Sequence, residues 1–202
     1  MSKKGLKTPL RYPGGKSRAC TKMGQFFPEL REYVEFREPF LGGGSVAIHV
    51  SKLYPHLKIT VNDLYEPLIN FWMNLQMFGD ELSTNLKNLK IAHPNQDSAR
   101  CLFAEMKDVI NDSTQNNIDR AVAFYIVNKC SFSGLTESSS FSAQASDSNF
   151  SMRGIEKLPE YSEIISHWHI NSYSYEYCFR TDIHDGLFMY LDPPYDIKDN
   201  LY

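Results

Sequence analysis

Apolar and polar positions along this chain follow two rhythms, and each marks a different kind of element. Residues 187–191, Leu-Phe-Met-Tyr-Leu, form a short continuous apolar run behind Gly186. Such a run predicts a buried strand in a parallel sheet. It stops on Asp192-Pro193-Pro194-Tyr195, and because proline cannot extend a sheet ladder, the backbone must leave the sheet at Asp192. Upstream, residues 32–40 carry β-branched and aromatic positions and predict a strand, 46–53 a helix, and 57–61 a second strand ending at Asn62-Asp63. Helical spacing continues over 65–78, 79–89, 98–110 and 118–129, then again over 154–167, before a strand at 167–171. No internal repeat interrupts this order.

Between Cys130 and Ser151 the rhythm is lost, and serines dominate with Phe132, Phe141 and Phe150 spaced among them. On composition alone this is a disordered loop. A loop of this length inside a compact domain is uncommon unless functional, so the phenylalanines read as anchors or stacking groups in a segment that orders on binding.

A length of 202 residues suits one domain, or a domain with a sizeable insertion. No apolar run approaches a membrane span, and residues 1–6 lack an apolar signal core. Cys20, Cys101, Cys130 and Cys178 are scattered without a CxxC pair, which predicts reduced thiols rather than a disulfide frame or zinc site. A cytoplasmic location and no membrane partner are expected. His167 and His169 would share a strand face, but no acid or cysteine lies at ligand spacing, so no metal is expected.

Net charge is −3, yet Lys3, Lys4, Lys7, Arg11, Lys16, Arg18 and Lys22 cluster with no acid between them. Such an arm suits either a phosphate backbone or a solvated tail. Asp182, Asp185, Asp192, Asp196 and Asp199 face only Lys198.

The chemistry begins at Arg11-Tyr12-Pro13-Gly14-Gly15-Lys16, a tight turn whose backbone can approach a ligand but which lacks the spacing of a P-loop. Pro39-Phe40-Leu41-Gly42-Gly43-Gly44-Ser45 then joins the first strand to a helix, and Asp63 lies 19 residues after Gly44. Strand, glycines, helix, strand and acid in this order describe a nucleoside site, with the acid placed for a ribose hydroxyl. The plain alternative for a glycine run is a flexible turn, and the ordered context favours the site. Asp192 then closes the strand edge where open α/β sheets bind ligands.

Together Arg11–Lys16, Glu38-Pro-Phe-Leu-Gly-Gly-Gly-Ser-Val46, Asn62-Asp63, Phe132-Ser-Gly-Leu135 and Asp192-Pro-Pro-Tyr195 give the chain its resemblance to the DNA adenine methylase (Dam-like) family, D12 class, alpha group. The resemblance implies an α/β fold: a Rossmann-like S-adenosylmethionine-dependent methyltransferase sheet with an inserted helical DNA-recognition domain. It divides the chain into residues 1–64, a recognition insertion at 65–155, and a return at 156–202. It implies methyl transfer from S-adenosylmethionine to adenine N6 of a base flipped out of double-stranded DNA, without a metal.

Catalysis would fall to Asp192, Pro193, Pro194 and Tyr195. Tyr12, Gly14, Lys16, Pro39, Phe40, Gly42, Gly44, Ser45 and Asp63 would bind the cofactor. Arg11, Lys129, Phe132, Ser133 and Glu137 would face DNA. Two departures stand out. Where relatives that read GATC place an arginine suited to guanine, this chain has Glu137, which accepts from cytosine instead. The chain also stops seven residues after Tyr195, which reads as an N-terminal fragment or a natural truncation, because the fold needs more sheet to cover the strand edge.

The main alternative function is a non-catalytic DNA- or S-adenosylmethionine-binding remnant. A nicotinamide enzyme is disfavoured by the missing G-x-G-x-x-G spacing. A glutamine-methylating enzyme is disfavoured because Asp192 stands where that class carries asparagine. Transfer to an RNA base, or to cytosine N4 by the same tetrapeptide chemistry, stays open.

Overall fold

The computed structural model describes residues 7–134 and 139–194. Leu135, Glu137, Tyr195 and the first two lysines of the basic arm therefore lie outside the described residues. The elements run α1 (Cys20–Met23), β1 (Glu35–Glu38), α2 (Ser45–Leu53), β2 (Lys58–Asn62), α3 (Glu66–Ala92), α4 (Gln96–Val109) and α5 (Asn117–Cys130). They continue through α6 (Ala143–Ser148), α7 (Met152–Ile155), α8 (Leu158–Ile165), β3 (Trp168–Asn171), α9 (Tyr175–Arg180) and β4 (Leu187–Met189).

The four strands form a parallel sheet in the order β3-β2-β1-β4. This is the Rossmann-like α/β architecture expected from strand–helix alternation. Because β1 lies between β2 and β4, the loops leaving all three strands emerge side by side at one edge. Backbone bonds continue the pairing past the strands themselves: Leu41 N–H to Asn62 O at 2.9 Å, and Tyr190 N–H to Arg37 O at 2.9 Å. The glycine loop, Asp63 and Asp192 are thereby set next to one another.

β1 is shorter than the predicted 32–40 strand. Leu30–Glu32 form a 3₁₀ turn before it, and Pro39 ends it. All four of its residues are buried, including Glu35, Arg37 and Glu38. The Arg37 guanidinium bonds Glu35 at 2.7 and 2.9 Å and the carbonyls of Cys178 and Thr181 at 2.8 and 2.7 Å. Lys58 reaches the second Glu35 oxygen at 3.1 Å. Buried charges persist only when paired and hydrogen-bonded in this way. β4 corrects another expectation, for its three residues are half-buried rather than buried. Among the described residues it pairs on one side only, with β1.

Helices α3 to α8 lie between β2 and β3. The two helices predicted at 65–78 and 79–89 are the two halves of α3, which non-helical backbone angles at Phe78 separate. Phe71 of α3 packs its ring on Phe124 and Tyr125 of α5, and Trp72 meets Trp168 of β3. A single apolar cluster thus runs from the sheet into the helices.

The serine-rich stretch also departs from the disordered reading. Phe150 is fully buried, and Phe141 packs edge-on against Phe103 under the Arg100 guanidinium. Ser142 and Ser151 cap α6 and α7 by accepting from Ala145 and Gly154 N–H. Phe150 is therefore a core residue and Phe141 packs against the core, while the serines supply helix caps. Phe132, 61% exposed, is the one that faces solvent.

Candidate active site

At the carboxyl edge of the sheet, Asp192 Oδ2 meets Lys16 Nζ at 2.5 Å, and the same ammonium donates to Gly14 O at 3.0 Å. The N-terminal turn and the end of β4 are 176 residues apart in sequence and are joined by this ion pair. Pro193 and Pro194 follow on the exposed side.

The glycine loop is pressed between two aromatic rings. A Cβ on Gly42 would lie 2.7 Å from the Tyr12 ring, and one on Gly44 2.7 Å from Trp72. Both glycines have positive φ, +48° and +64°, the left-handed region that side chains disfavour. The Trp72 indole N–H also donates to Gly42 O at 3.2 Å, and the Thr8 hydroxyl donates to Gly43 O. Gly44→Ala is expected to cost at least about 1–2 kcal/mol from the dihedral alone, measured as a lowered urea midpoint. An unchanged midpoint would show that the loop is slack.

Asp63 accepts from Gly42 N–H at 2.9 Å and Tyr65 N–H at 3.1 Å. Burial raises its pKa despite those bonds. Burial, with Asp63 nearby, likewise pushes the Tyr12 phenol up to about 12.

Glu38 carries no role in the sequence reading beyond its place in the motif, yet it is fully enclosed here. It accepts from Ala47 N–H in the first turn of α2 at 3.0 Å. Burial raises its pKa well above the ordinary range, with Asp192 and Asp63 adding and Lys16 opposing. Three acids and one lysine are thus electrostatically linked. A folded-state pKa above the unfolded value, about 4.3 for glutamate, gives stability that is present below the unfolded pKa and lost as pH rises through the folded one. Glu38→Gln keeps an acceptor for Ala47 and is expected to remove that decline in a series of urea melts from pH 4 upward. A mutant profile that falls as steeply as wild type would contradict this.

Two other residues were missed because their signals are local and ambiguous. Asn62, 1% exposed, donates to Pro39 O and Tyr173 O at 3.2 and 3.0 Å and accepts from Tyr173 N–H at 2.9 Å, tying the loops after β1, β2 and β3 together. Tyr175, half exposed in α9, sets its ring 5.4 Å from that of Phe40. The repeated tyrosines of 173–177 were the available clue.

The residues expected to face DNA form a second group. Arg11 N–H donates to Asn128 Oδ1 at 2.9 Å, and the Asn128 amide returns to Arg11 O and Gly134 O at 2.6 and 2.9 Å. Arg11 Nη1 donates to Ser131 O at 2.6 Å. Ser133 has φ 57°, which turns the chain beside exposed Phe132. Lys129 is half-buried. Its ammonium lies 5.2 Å from the Tyr125 ring, and burial, with Arg11 adding, lowers its pKa to about 8. Ser45 shares a hydroxyl bond with Ser17 at 2.8 Å.

Among the described residues no helix is long and apolar enough to cross a membrane. Two curated proteins are similar to this chain. One is the type II methyltransferase M.MjaIII of Methanocaldococcus jannaschii, 24% identical over 137 residues, covering 64% of this chain and 47% of that protein. The other is the DNA N-6-adenine-methyltransferase of Escherichia phage P1, 26% identical over 126 residues, covering 62% of this chain and 15% of that protein. The chain thus aligns with less than half the length of either relative. The D12 class N6 adenine-specific DNA methyltransferase family matches residues 12–201. That match takes in the glycine loop, Asp63 and the Asp192 strand end, and the chain belongs to this family.

Proposed function

We propose that this protein moves a methyl group from S-adenosylmethionine to adenine N6 of a base flipped out of duplex DNA, in the cytoplasm of a bacterial or phage-infected cell. The observation that carries the proposal is the convergence of Asp192, Lys16, Glu38 and Asp63 on a glycine loop at the carboxyl edge of a parallel sheet.

The residues present fit a nucleoside cofactor. The cradle at Gly42–Gly44 leaves no room for a Cβ, Asp63 is a half-buried acceptor suited to ribose hydroxyls, and half-buried Phe40 with exposed Tyr175 offers an apolar face to a purine. Tyr12, Gly14, Lys16, Pro39 and Ser45 line the remaining end. When bound, S-adenosylmethionine supplies an electrophilic methyl group on a sulfonium.

The chain's own contribution lies at the acceptor amine. An exocyclic adenine nitrogen is a weak nucleophile because its lone pair is delocalised into the ring. The Asp192 carboxylate and the Pro193 carbonyl accept hydrogen bonds from its two N–H groups, favour a pyramidal nitrogen and orient the freed lone pair. Asp192 need not be a strong base, since the amino proton becomes acidic only after the methyl is attached. Lys16 holds the Asp192 side chain in place before the amine arrives. Pro194 stiffens the turn, and Tyr195 stacks on the base, whose extrusion costs a few kcal/mol. Arg11, Lys129, Phe132, Ser133 and Glu137 form the DNA face, with the 65–155 helices as the recognition insertion between the two parts of the methyltransferase domain.

Calorimetric titration with S-adenosylmethionine tests the cofactor half. Asp63→Ala is expected to weaken binding about 10–100-fold, the worth of hydrogen bonds to a charged acceptor. Equal affinity in the variant and wild type would remove Asp63 from the site.

A further inference from the structure

Beside the proposed centre, and sharing only Ser45 with it, a cleft of about 180 Å³ opens between α1, α2 and the N-terminal segment. We propose that this cleft binds a phosphate group. Its lining carries Lys7, His49 and Lys52 together with the hydroxyls of Ser17, Thr21 and Ser45, and no carboxylate among the described residues. The volume is several times a water's share of about 30 Å³, enough for a tetrahedral oxyanion and its remaining hydration.

The donor set has the chemistry of an anion site. Ser17 and Ser45 share one hydrogen bond between their hydroxyls at 2.8 Å. Two hydroxyls joined by one bond keep one O–H to donate elsewhere. The Cys20 thiol is turned away from an acceptor role, since it donates to the carbonyls of Lys16 and Ser45 at 3.2 and 3.5 Å. Burial raises the Cys20 pKa, so it adds no negative charge. Two lysines lining one hollow disfavour a charged imidazole between them, and a bound phosphate would favour it.

Burial first, and then the charge of Lys52, hold the His49 pKa below its ordinary value. Among the described residues, the charged groups lining the cleft with it are Lys52 from its own helix and Lys7 from the N-terminal segment. α1 contributes only neutral Cys20 and Thr21, and the imidazole edge approaches Gly24 beyond that helix.

The phosphate comes either from the DNA backbone or from a free phosphate-bearing molecule, and two measurements separate these. Inorganic phosphate is titrated into the protein at constant ionic strength, with chloride as the balancing anion, while the His49 ring resonances are followed against pH. A bound oxyanion is expected to raise the His49 pKa by about half a unit or more, and Lys52→Gln with Lys7→Gln is expected to abolish that rise. The salt dependence of duplex affinity is then compared between wild type and Lys52→Gln.

A slope reduced by about 0.9 identifies a backbone phosphodiester. An unchanged slope, or no duplex binding, together with a phosphate-dependent His49 shift, identifies a free phosphate. No phosphate-specific shift, or the same shift in the double variant, overturns the proposal. The phosphate titration needs neither cofactor nor DNA, so it stands whatever the outcome for methyl transfer.

Discussion

Asp192→Ala is expected to lower single-turnover methyl transfer by about a thousandfold while leaving the melting temperature and cofactor affinity near wild type. The side chain is half-buried, at the end of the half-buried strand β4, and its described hydrogen bond is to Lys16. Its removal therefore opens no core cavity. What is lost is an acceptor for one amine N–H, an interaction that tightens only as the nitrogen becomes pyramidal, so the effect falls on the rate rather than on binding. Asp192→Asn keeps an acceptor oxygen without the charge and is expected to lie between the two. If Asp192→Ala instead weakened cofactor binding with the single-turnover rate intact, the residue would belong to the cofactor pocket.

Arg37→Met is expected to cost about 3–5 kcal/mol in urea unfolding, the usual penalty for breaking a buried ion pair from one side. Arg37 and Glu35 are 4% and 2% exposed, and the guanidinium also satisfies the Cys178 and Thr181 carbonyls and reaches Asp182 O at 3.3 Å. Those carbonyls belong to the end of α9 and the turn that feeds β4. The variant strips the guanidinium from a buried carboxylate, leaving Lys58 and His184 beside it, and removes a donor from three carbonyls. Replacing both partners, as Arg37→Met with Glu35→Leu, removes the stranded charge and is expected to recover part of the loss. A single variant within 1 kcal/mol of wild type would mean the clamp is dispensable.

Much of the candidate site's arrangement was legible because its signals are local. Gly42–Gly44 between a strand and a helix, and Asp63 after the next strand, follow from chain order alone. The positive φ at Gly42 and Gly44 and the pressure of Tyr12 and Trp72 explain why those positions are glycine. The pairing of Lys16 with Asp192 was not legible, since no local pattern links positions 176 apart. Nor was the burial of Glu35, Arg37 and Glu38. Alternating charges in Glu-Phe-Arg-Glu look like a solvated edge, and only the sheet order places them in its middle. The serine-rich stretch misled in the opposite direction. Its composition suggests disorder, but Phe141 and Phe150 anchor it to the helices and its serines work as caps.

Nucleoside analysis after reaction tests the central claim most directly. The protein is incubated with methyl-labelled S-adenosylmethionine and duplex DNA, and the digested nucleosides are separated. The account predicts label in N6-methyladenine with wild type and a near-complete loss with Asp192→Ala. Label in N4-methylcytosine, or undiminished N6-methyladenine from Asp192→Ala, would contradict it.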